Sequence, residues 1–325
     1  MSRLPSGPSN SMPKRSKNPD VIHRWEGNPL ITLDDIPFAC NTVFNAACVK
    51  MTREYVLLLR VEDLSGRSVL ALARGEDGFH FEVEEKPVMW PCSTEPYRTY
   101  EAMGVEDPRV TFLDGWYYIM YTAVSTYGPR LGLARTKDFK KIDRLGLISR
   151  PENKDGVLFP RSIGGRYVRL DRPMCEGLGN IWISFSPDLV NWGDSQLLAA
   201  IRPGFWDCDR IGASAPPIET EKGWLEIYHG VKFNSSGPLY RLGAMLLDLE
   251  DPTIVLGRSD IPILAPREYY ERVGDVNNVV FSCGAIYEEY TGNLKVYYGA
   301  ADTCICVGTA KLNDLLECCT PVNES

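Results

Sequence analysis

Short runs of apolar, β-branched and aromatic residues follow one another along the chain from about residue 20, and glycine, proline, asparagine or aspartate ends each run. Buried strands give short apolar or alternating runs, whereas a helix shows apolar positions with a period of about 3.6 residues. No long stretch of the sequence has the helical period. The pattern therefore predicts an all-β fold.

A strand-like segment occurs five times, and each copy is followed by a second apolar run and a turn. The first segments are 54–60, 116–121, 166–170, 224–229 and 293–298. The second runs are 70–74, 131–135, 181–185, 242–246 and 306–310. These runs recur at steps of 61, 51, 61 and 64 residues, measured between Ala73, Ala134, Phe185, Leu246 and Ala310. Units of that size with several strands favour the blades of a β-propeller over a β-sandwich.

We therefore expect one domain, a five-bladed β-propeller over residues 20–325, preceded by a disordered Pro/Ser-rich tail over residues 1–19. The inner strands of a propeller converge on a central funnel. Polar residues at comparable places in different blades would meet there, although they are far apart in sequence. The funnel is therefore the expected active site.

Composition narrows the classes of function. The 325 residues carry a net charge of −8 and contain no basic stripe, which argues against nucleic-acid and anionic-membrane partners. No segment has the pattern of a membrane span or a signal peptide. The ten cysteines form no C-x-x-C pair and have no histidine at zinc spacing, so we expect free thiols, no metal and a cytoplasmic protein.

The segment 104–109, GVEDPR, carries the candidate catalytic residue, Asp107. It is expected on a loop just before a strand, and Pro108 prevents a helix from continuing through the segment. A carboxylic acid placed there can be directed into a cleft, where it would protonate a leaving oxygen. The alternative interpretation is structural: Asp107 ends a turn and pairs with Arg109.

Three basic residues at predicted strand ends, Lys154, Arg172 and His229, could together bind phosphate in the funnel. Inverting hydrolysis of a glycoside uses two carboxyl groups, one as the acid and one as the base that activates water. Phosphate is already anionic at neutral pH and needs no such base. One acid beside a cluster of cations is therefore typical of phosphorolysis.

Several segments together resemble glycoside hydrolase family 130, the β-mannoside phosphorylases. They occur in the order of that family between about residues 22 and 316, and they are 44–45 with 59–60, 104–109, 153–160, 169–173, 211–217, 227–230, 240–244 and 298–302. The resemblance implies a five-bladed propeller that cleaves a β-mannosidic bond with inorganic phosphate. The products would be α-D-mannose 1-phosphate, formed with inversion, and a shortened acceptor sugar.

The same resemblance implies a role for individual residues. Asp107 would be the general acid and would pass its proton through a hydroxyl of the mannose. Phosphate would be held by Lys154, Arg172 and His229. The mannose pocket would be lined by Asn45, Arg60, Arg210, Phe281 and Asp302. Inorganic phosphate would be a co-substrate, and no cofactor would be needed.

The chain departs from the family pattern at two places. Lys154 stands at a phosphate position where the family often has arginine, and it supplies charge without a bidentate fork. Arg210 stands where the family has a lysine in the mannose pocket. Both departures keep a positive charge. Hydrolase members of the family lack the phosphate-binding cations, so Arg172 and His229 favour a phosphorylase.

Two other functions stay open from the sequence. An inverting β-mannosidase would use water and would need a second carboxylate as base, for which Glu101 and Glu106 are nearest in sequence. A non-catalytic mannose-binding propeller would keep the pocket without the chemistry. The linkage (β-1,2 or β-1,4), the acceptor sugar and the oligomeric state also stay open, with a homo-oligomer as one possibility.

Aromatic residues are secondary candidates. Trp182, Trp192 and Trp206 could stack on sugar rings, although aromatic residues in propeller blades more often belong to the core. Four tyrosines in predicted loops could shape the acceptor site, and they are Tyr97, Tyr100, Tyr127 and Tyr240.

Overall fold

The structure is a computed structural model that describes residues 20–175 and 177–321. The tail predicted over residues 1–19 lies outside the described residues. The described chain is nearly all-β, which confirms the expected fold class. Its helices are short, and they are a 3-10 turn (Leu33–Asp35), α1 (Tyr97–Tyr100), α2 (Tyr269–Arg272) and α3 (Leu312–Glu317). Within these residues no helix is long and apolar enough to cross a membrane.

The described strands form five consecutive groups, and most neighbours within a group run antiparallel. A short strand, β1 (His23–Arg24), precedes them. Group one contains β2 (Cys40–Lys50), β3 (Tyr55–Asp63), β4 (Ser68–Gly75) and β5 (Glu82–Val83). Group two contains β6 (Gly104–Leu113), β7 (Trp116–Val124), β8 (Arg130–Thr136) and β9 (Asp143–Leu147). Group three contains β10 (Asn153–Leu158), β11 (Tyr167–Cys175), β12 (Leu178–Gly179), β13 (Ile181–Ser186) and β14 (Gly193–Ala199).

The remaining strands complete the fold. Group four contains β15 (Arg210–Ala213), β16 (Ile218–Thr220), β17 (Gly223–Asn234), β18 (Gly237–Leu247) and β19 (Val255–Ser259). Group five contains β20 (Val280–Glu288), β21 (Asn293–Ala300) and β22 (Cys304–Lys311). A last strand, β23 (Cys319–Pro321), pairs with β19. The five repeated segments lie in β3, β7, β11, β17 and β21, and the second runs lie in β4, β8, β13, β18 and β22, as predicted.

Hydrogen bonds join the groups into three sheets of 4, 8 and 11 strands. Groups one and two are linked by a parallel pairing of Ser68 with Gly104, and groups three and four by a parallel pairing of Gly179 with Arg210. Group five forms its own sheet with β1. No sheet closes on itself among the described strands, so the number of blades stays a prediction at this point.

Hydrophobic cores lie between consecutive groups. Separate clusters of buried side chains pack group one on two, two on three, three on four, and four on five. A further cluster joins group five to group one, with Tyr297 and Val307 packed against side chains such as Val43 and Leu57. Burial of apolar surface therefore connects the last group to the first even though hydrogen bonds do not.

A buried charge network holds β1 against the segment 265–271, which includes the start of α2. Arg24 donates to Asp20 at 2.8 Å and to the fully buried Glu271 at 2.7 Å, and it also donates to the carbonyl of Ala265 at 2.6 Å. Asp20 accepts a second guanidinium, from Arg267, at 2.7 Å. Removing one member of such a network leaves a buried carboxylate uncompensated, which is strongly destabilising.

We expect Arg24→Ala to lower the free energy of unfolding by about 3–5 kcal/mol in urea denaturation, because Glu271 then loses its cation in a buried position. The control is Arg161→Ala, which breaks an ion pair with Glu219 whose side chains are 36% and 45% exposed. That change should lower stability by at most about 1 kcal/mol. Equal losses in the two variants would contradict the role given to the network.

Candidate functional site

One cavity of about 360 Å³ brings together all nine residues that the sequence assigns to the site. They come from all five strand groups or from the turns beside them. The cavity also contains residues to which the sequence gave no role. The nine are Asn45, Arg60, Asp107, Lys154, Arg172, Arg210, His229, Phe281 and Asp302.

Local irregularities in three strands direct polar side chains into this cavity. The register of β2, β6 and β10 shifts at Asn45, Asp107 and Asp155, and these residues have φ angles of 50°, 47° and 56°. Positive φ is uncommon for residues other than glycine, although asparagine and aspartate tolerate it best. A bulge with this backbone turns a side chain away from the regular alternation of the strand. The three side chains are therefore held by strands rather than by loops.

The position of Asp107 corrects one expectation. The sequence placed this residue on a loop before a strand, but it lies inside β6, which already begins at Gly104 and continues through Pro108 to Leu113. Pro108 falls within the shifted register between Glu106 and Arg109, where the ladder is interrupted. The alternative interpretation, a side-chain pair of Asp107 with Arg109, is also wrong. Arg109 donates to the backbone carbonyl of Asp107 and to the carboxylate of Asp155.

Asp107 is buried and held by two donors. Its Oδ1 accepts from Nδ2 of Asn45 at 2.8 Å and from Arg60 at 2.9 Å. Burial by itself would raise the pKa of the Asp107 carboxyl, but Arg60, followed by Arg109 and Lys154, outweighs burial and holds that pKa well below its usual range. Asp107 is therefore ionised at neutral pH.

The pKa of Asp302 is shifted in the opposite direction from that of Asp107. It lies in the turn between β21 and β22 with a φ of 56°, and burial raises the pKa of its carboxyl to about 7. The charge of Arg60 opposes this rise, and the carboxylate of Asp107 adds to it. Two carboxyl groups in one cavity thus differ in pKa, because that of Asp107 is lowered and that of Asp302 is raised toward neutral.

The predicted phosphate ligands Arg172 and His229 meet at a buried carboxylate, Asp155. Its Oδ2 lies 3.0 Å from Nε of Arg172 and 3.4 Å from Nε2 of His229, and its Oδ1 lies 3.2 Å from Arg109. Burial would raise the pKa of Asp155, but the guanidinium of Arg172 and then that of Arg109 bring it below the usual value. Asp155 therefore pairs with two arginines from different strands and holds them in place.

Some donors at this point have no acceptor. Among the described residues, Nε and Nη1 of Arg172 and Nε2 of His229 are buried without an aligned hydrogen-bond partner, in spite of the short distances to Asp155. Buried donors normally find acceptors, and an unsatisfied one needs an explanation such as an absent ligand. An anion with several oxygens would satisfy them.

His229 is neutral at physiological pH. Burial lowers the pKa of its imidazole to about 3, and the neighbouring carboxylate of Asp155 does not reverse this. A ring proton on Nε2 has Oδ2 of Asp155 3.4 Å away without an aligned hydrogen bond, so it stays available to a second acceptor. Nδ1 then accepts from the hydroxyl of Ser214, 3.2 Å away. His229 would thus serve an anion as a hydrogen-bond donor rather than as a charge.

Lys154 differs from the other two predicted phosphate ligands. Its side chain is 32% exposed, and its Nζ lies 3.3 Å from Glu106, which also pairs with Arg60 at 2.8 Å. Glu106 thus balances part of the positive charge of both residues. Lys154 lies at the rim of the cluster and can move toward an incoming anion at little cost in free energy, because much of its surface already contacts water.

The remaining residues form a wall of aromatic and cationic groups. The ring of Phe281 lies 4.6 Å from that of His229 and 5.4 Å from the guanidinium of Arg109. Arg210 begins β15 and packs closely on Gly179, where a Cβ atom would lie 2.6 Å from its side chain and 3.0 Å from that of Arg172. Glycine at 179 therefore lets both arginines approach the same strand.

Asp155 was expected among the polar residues of the funnel but without a role of its own, and the sequence gave no site role to Arg109 or Ser214. Asp155 directly follows Lys154 and Arg109 lies two residues after Asp107, so proximity in sequence was a usable signal. Their importance comes from contacts between different strand groups. Ser214 lies just after β15, in a segment quoted for the family resemblance, but nothing in that segment marked it as a partner of His229.

The aromatic candidates divide into four sets. Trp206 is buried in the core between groups three and four. Tyr240 lines the cavity from β18, and Tyr97 and Tyr100 lie on α1, so the expectation of loops is wrong for these three. Tyr127 is 66% exposed in a turn, as expected. Trp182 and Trp192 lie outside the cavity, in a neighbouring groove.

The candidate bases for a water-using reaction, Glu101 and Glu106, are both held in ion pairs, and neither is among the residues that line the cavity. Glu101 is fully buried and accepts from Tyr121 and Arg144 at 2.7 and 2.9 Å, away from the cavity lining. Glu106 is paired with Arg60 and Lys154. Within residues 20–175 and 177–321, no cluster of histidine, cysteine, aspartate and glutamate has the arrangement of a metal site.

The chain matches a family model over residues 12–321, that of glycoside hydrolase family 130, described as β-1,4-mannooligosaccharide phosphorylase. It is 43% identical over 269 residues to the β-1,2-mannobiose phosphorylase of Listeria innocua, and this match covers 82% of this chain and 73% of that protein. It is 34% identical over 322 residues to the β-1,4-mannooligosaccharide phosphorylase of Ruminococcus albus, and this match covers 97% of this chain and 95% of that protein.

Solved structures agree with these sequence matches. The β-1,2-mannobiose phosphorylase of Listeria innocua, in complex with β-1,2-mannobiose, superposes with a TM-score of 0.82 at 36% identity, and the match covers 91% of this chain and 98% of that chain. The family match and the relatives span nearly the whole described chain. The protein therefore belongs to glycoside hydrolase family 130.

Proposed function

We propose that the protein is an inverting β-mannoside phosphorylase, which transfers a mannosyl group from a β-mannoside to inorganic phosphate and gives α-D-mannose 1-phosphate and a shortened acceptor. The observation that carries the proposal is that a buried carboxylate, Asp107, shares one cavity with the unsatisfied donors of Arg172 and His229. Relatives named as phosphorylases of β-1,2- and β-1,4-linked mannosides support it.

In this proposal phosphate binds where the unsatisfied donors meet. Arg172 would offer its guanidinium fork, His229 its Nε2 proton and Lys154 a charge from the rim. Phosphate would approach the anomeric carbon from this side, and the sugar would occupy the space beside Asn45, Arg60 and Asp302. Holding both reactants in place supplies much of the rate, because the bound pair reacts as one molecule.

Asp107 would supply the proton for the leaving oxygen, in keeping with the family resemblance. Arg60, Arg109 and Lys154 hold this carboxyl ionised, so the proton must arrive with the substrates, and hydrogen phosphate carries the one proton that the leaving oxygen takes up. A hydroxyl of the bound mannose would then relay it. The arrangement does not favour hydrolysis, because Glu101 and Glu106 are engaged in other ion pairs and neither is free to activate water.

The proposal extends to the architecture. The five strand groups would be the blades of a propeller around the cavity, over residues 20–325 as one catalytic domain. The cores between consecutive groups, together with the core between group five and group one, support this radial arrangement. Inorganic phosphate would be a co-substrate without any cofactor, and the cytoplasmic location and a possible homo-oligomer stay predictions from the sequence.

The first test is the formation of mannose 1-phosphate from β-1,2- and β-1,4-linked mannobioses and from mannosyl-glucose, with and without inorganic phosphate. We expect the sugar phosphate to form in the presence of phosphate from at least one of these substrates. The product should be the α anomer by NMR. Free mannose released at equal rates with and without phosphate would instead identify a hydrolase, and binding without any product would identify a mannose-binding protein.

Asp107→Asn should lower kcat by about 10²- to 10⁴-fold, because the amide has no acidic proton to donate. The KM for the mannoside should change far less, since an amide oxygen can still accept from Asn45 and Arg60. A mannoside with a nitrophenolate leaving group needs little protonation, and its turnover should fall much less. A similar loss with both substrates would show that Asp107 acts on folding or binding rather than as an acid.

Arg172→Lys should raise the KM for phosphate by about 10- to 100-fold, because lysine keeps the charge but loses the planar fork. The KM for the mannoside should stay close to that of the wild type. Arg169→Lys is a matched control on the same strand, since Arg169 is buried but lies outside the catalytic cavity. An unchanged phosphate KM in Arg172→Lys would remove this residue from the proposed phosphate site.

A further inference from the structure

The hydroxyl of Ser214 is a buried polar group to which the proposed reaction gives no role. Ser214 directly follows β15, is 0% exposed and does not line the catalytic cavity. Its Oγ lies 3.2 Å from Nδ1 of His229, and this is the one hydrogen bond that the hydroxyl makes within residues 20–175 and 177–321. The hydroxyl therefore acts on the cavity through His229.

The backbone of Ser214 is fixed on both sides. Its N–H donates to the carbonyl of Ile227 at 3.0 Å and to Oε1 of the fully buried Glu226 at 3.2 Å. Its carbonyl accepts from Nε of Arg109 at 3.2 Å. Because Ile227 and His229 belong to the same strand, β17, these bonds hold the hydroxyl in a constant position relative to the imidazole.

The imidazole of His229 is itself closely packed. A Cβ atom on Gly212 would lie 2.6 Å from Cε1 and 2.8 Å from Nε2 of the ring, so this position requires glycine. The ring of Phe281 packs against it with 4.6 Å between the ring centroids. A flip of the imidazole would place carbon atoms beside Ser214 and Asp155, and both polar contacts would be lost.

A neutral imidazole has two tautomers, and the neighbours of His229 favour one of them. Burial lowers the pKa of the imidazole to about 3, so a single proton is shared between the two nitrogens. With that proton on Nε2, the Ser214 hydroxyl donates to Nδ1, and the N–H points toward the carboxylate of Asp155, 3.4 Å away. With the proton on Nδ1, a lone pair would face the same carboxylate. The hydroxyl would then leave its own proton without an acceptor in the described part of the chain.

We propose that Ser214 is a positioning residue of the phosphate site, because its hydroxyl donates to Nδ1 of His229 and thereby keeps the ring proton on Nε2, which faces the bound phosphate. The inference rests on the proposed function and adds to it a residue outside the cavity that controls phosphate binding. Nε2 is buried without an aligned partner among the described residues, so its proton is available to a phosphate oxygen. In the other tautomer Nε2 would present a lone pair to the anion and repel it.

The first test is the nitrogen NMR spectrum of the wild type labelled with ¹⁵N-histidine, in which protonated and unprotonated ring nitrogens have well-separated shifts. The chain has three histidines, and His23 and His80 are exposed. His23→Gln and His80→Gln therefore assign the spectrum, because each removes one set of signals without disturbing the site. We expect His229 to be in the Nε2–H form. A wild-type His229 that is mainly in the Nδ1–H form would overturn the proposal.

The second test compares Ser214→Ala with the wild type. The ¹⁵N shifts of His229 should move toward those of the Nδ1–H form, and the KM for phosphate should rise by about three- to tenfold, because the hydroxyl no longer favours one tautomer. The KM for the mannoside should stay close to that of the wild type. Ser214→Cys keeps a small side chain with a weaker donor, so it should change both values in the same direction but by less.

Ser184→Ala is the matched control. Ser184 is a serine of β13 that is 1% exposed, and its hydroxyl lies 2.8 Å from that of Ser195, outside the cavity. Its removal should change neither the spectrum of His229 nor the KM for phosphate. Equal increases of this KM in Ser184→Ala and Ser214→Ala would show a general effect of losing a buried hydroxyl and would contradict the role given to Ser214.

The spectra separate a failure of this inference from a failure of the proposed function, since they need no turnover. If no mannoside is phosphorolysed, the proposed function fails, while the tautomer of His229 and its shift in Ser214→Ala still test the role of Ser214. If phosphorolysis occurs and Ser214→Ala leaves both the spectrum and the KM for phosphate unchanged, only the role of Ser214 is wrong.

Discussion

The structure depends on how buried charge is balanced where the strand groups converge. Asp107 and Asp155 are buried carboxylates in the same cavity. Asp107 pairs with Arg60, and Asp155 pairs with Arg109 and Arg172, and each of these arginines comes from a different strand than its carboxylate. Buried ions are tolerated only when they are paired with good geometry. Arg60 of β3, Arg109 of β6 and Arg172 of β11 therefore need these carboxylates as much as the carboxylates need them.

Strand irregularities make this balance possible. A regular strand would turn alternate side chains toward the two cores beside it, where an aspartate could not be ionised. The bulges at Asn45, Asp107 and Asp155 instead direct polar side chains toward the common cavity, at the cost of positive φ angles. The hydrophobic cores between the groups hold the bulged strands in place, so apolar packing and site chemistry are linked in the same elements.

Local apolar patterns were enough to predict the strands, because apolar periodicity is local. The mannose-pocket residues of the cavity were predicted from the resemblance to the family, whose motifs occur in a fixed order. The same reasoning missed that Asp107 lies inside a strand, since a bulge is set by pairing with β7 rather than by the segment itself. It also gave no role to Asp155, although it expected this residue in the funnel, because its partners come from β6, β11 and β17. Protonation states could not be predicted from the sequence for the same reason. The charge of Asp107, in β6, depends on Arg60, which comes from β3.

The charges around Asp107 also link the binding of phosphate to acid catalysis by Asp107. Arg60, Arg109 and Lys154 hold Asp107 ionised, and an ionised carboxylate has no proton to give. If phosphate binds as proposed, its negative charge lies close to Lys154 and Arg172 and offsets the positive field on Asp107, so the pKa of Asp107 rises toward the range in which it holds a proton. A water molecule in the same place carries no charge and leaves Asp107 ionised. The cations around Asp107 would then suppress hydrolysis in the absence of phosphate and permit acid catalysis only when the phosphate nucleophile is bound.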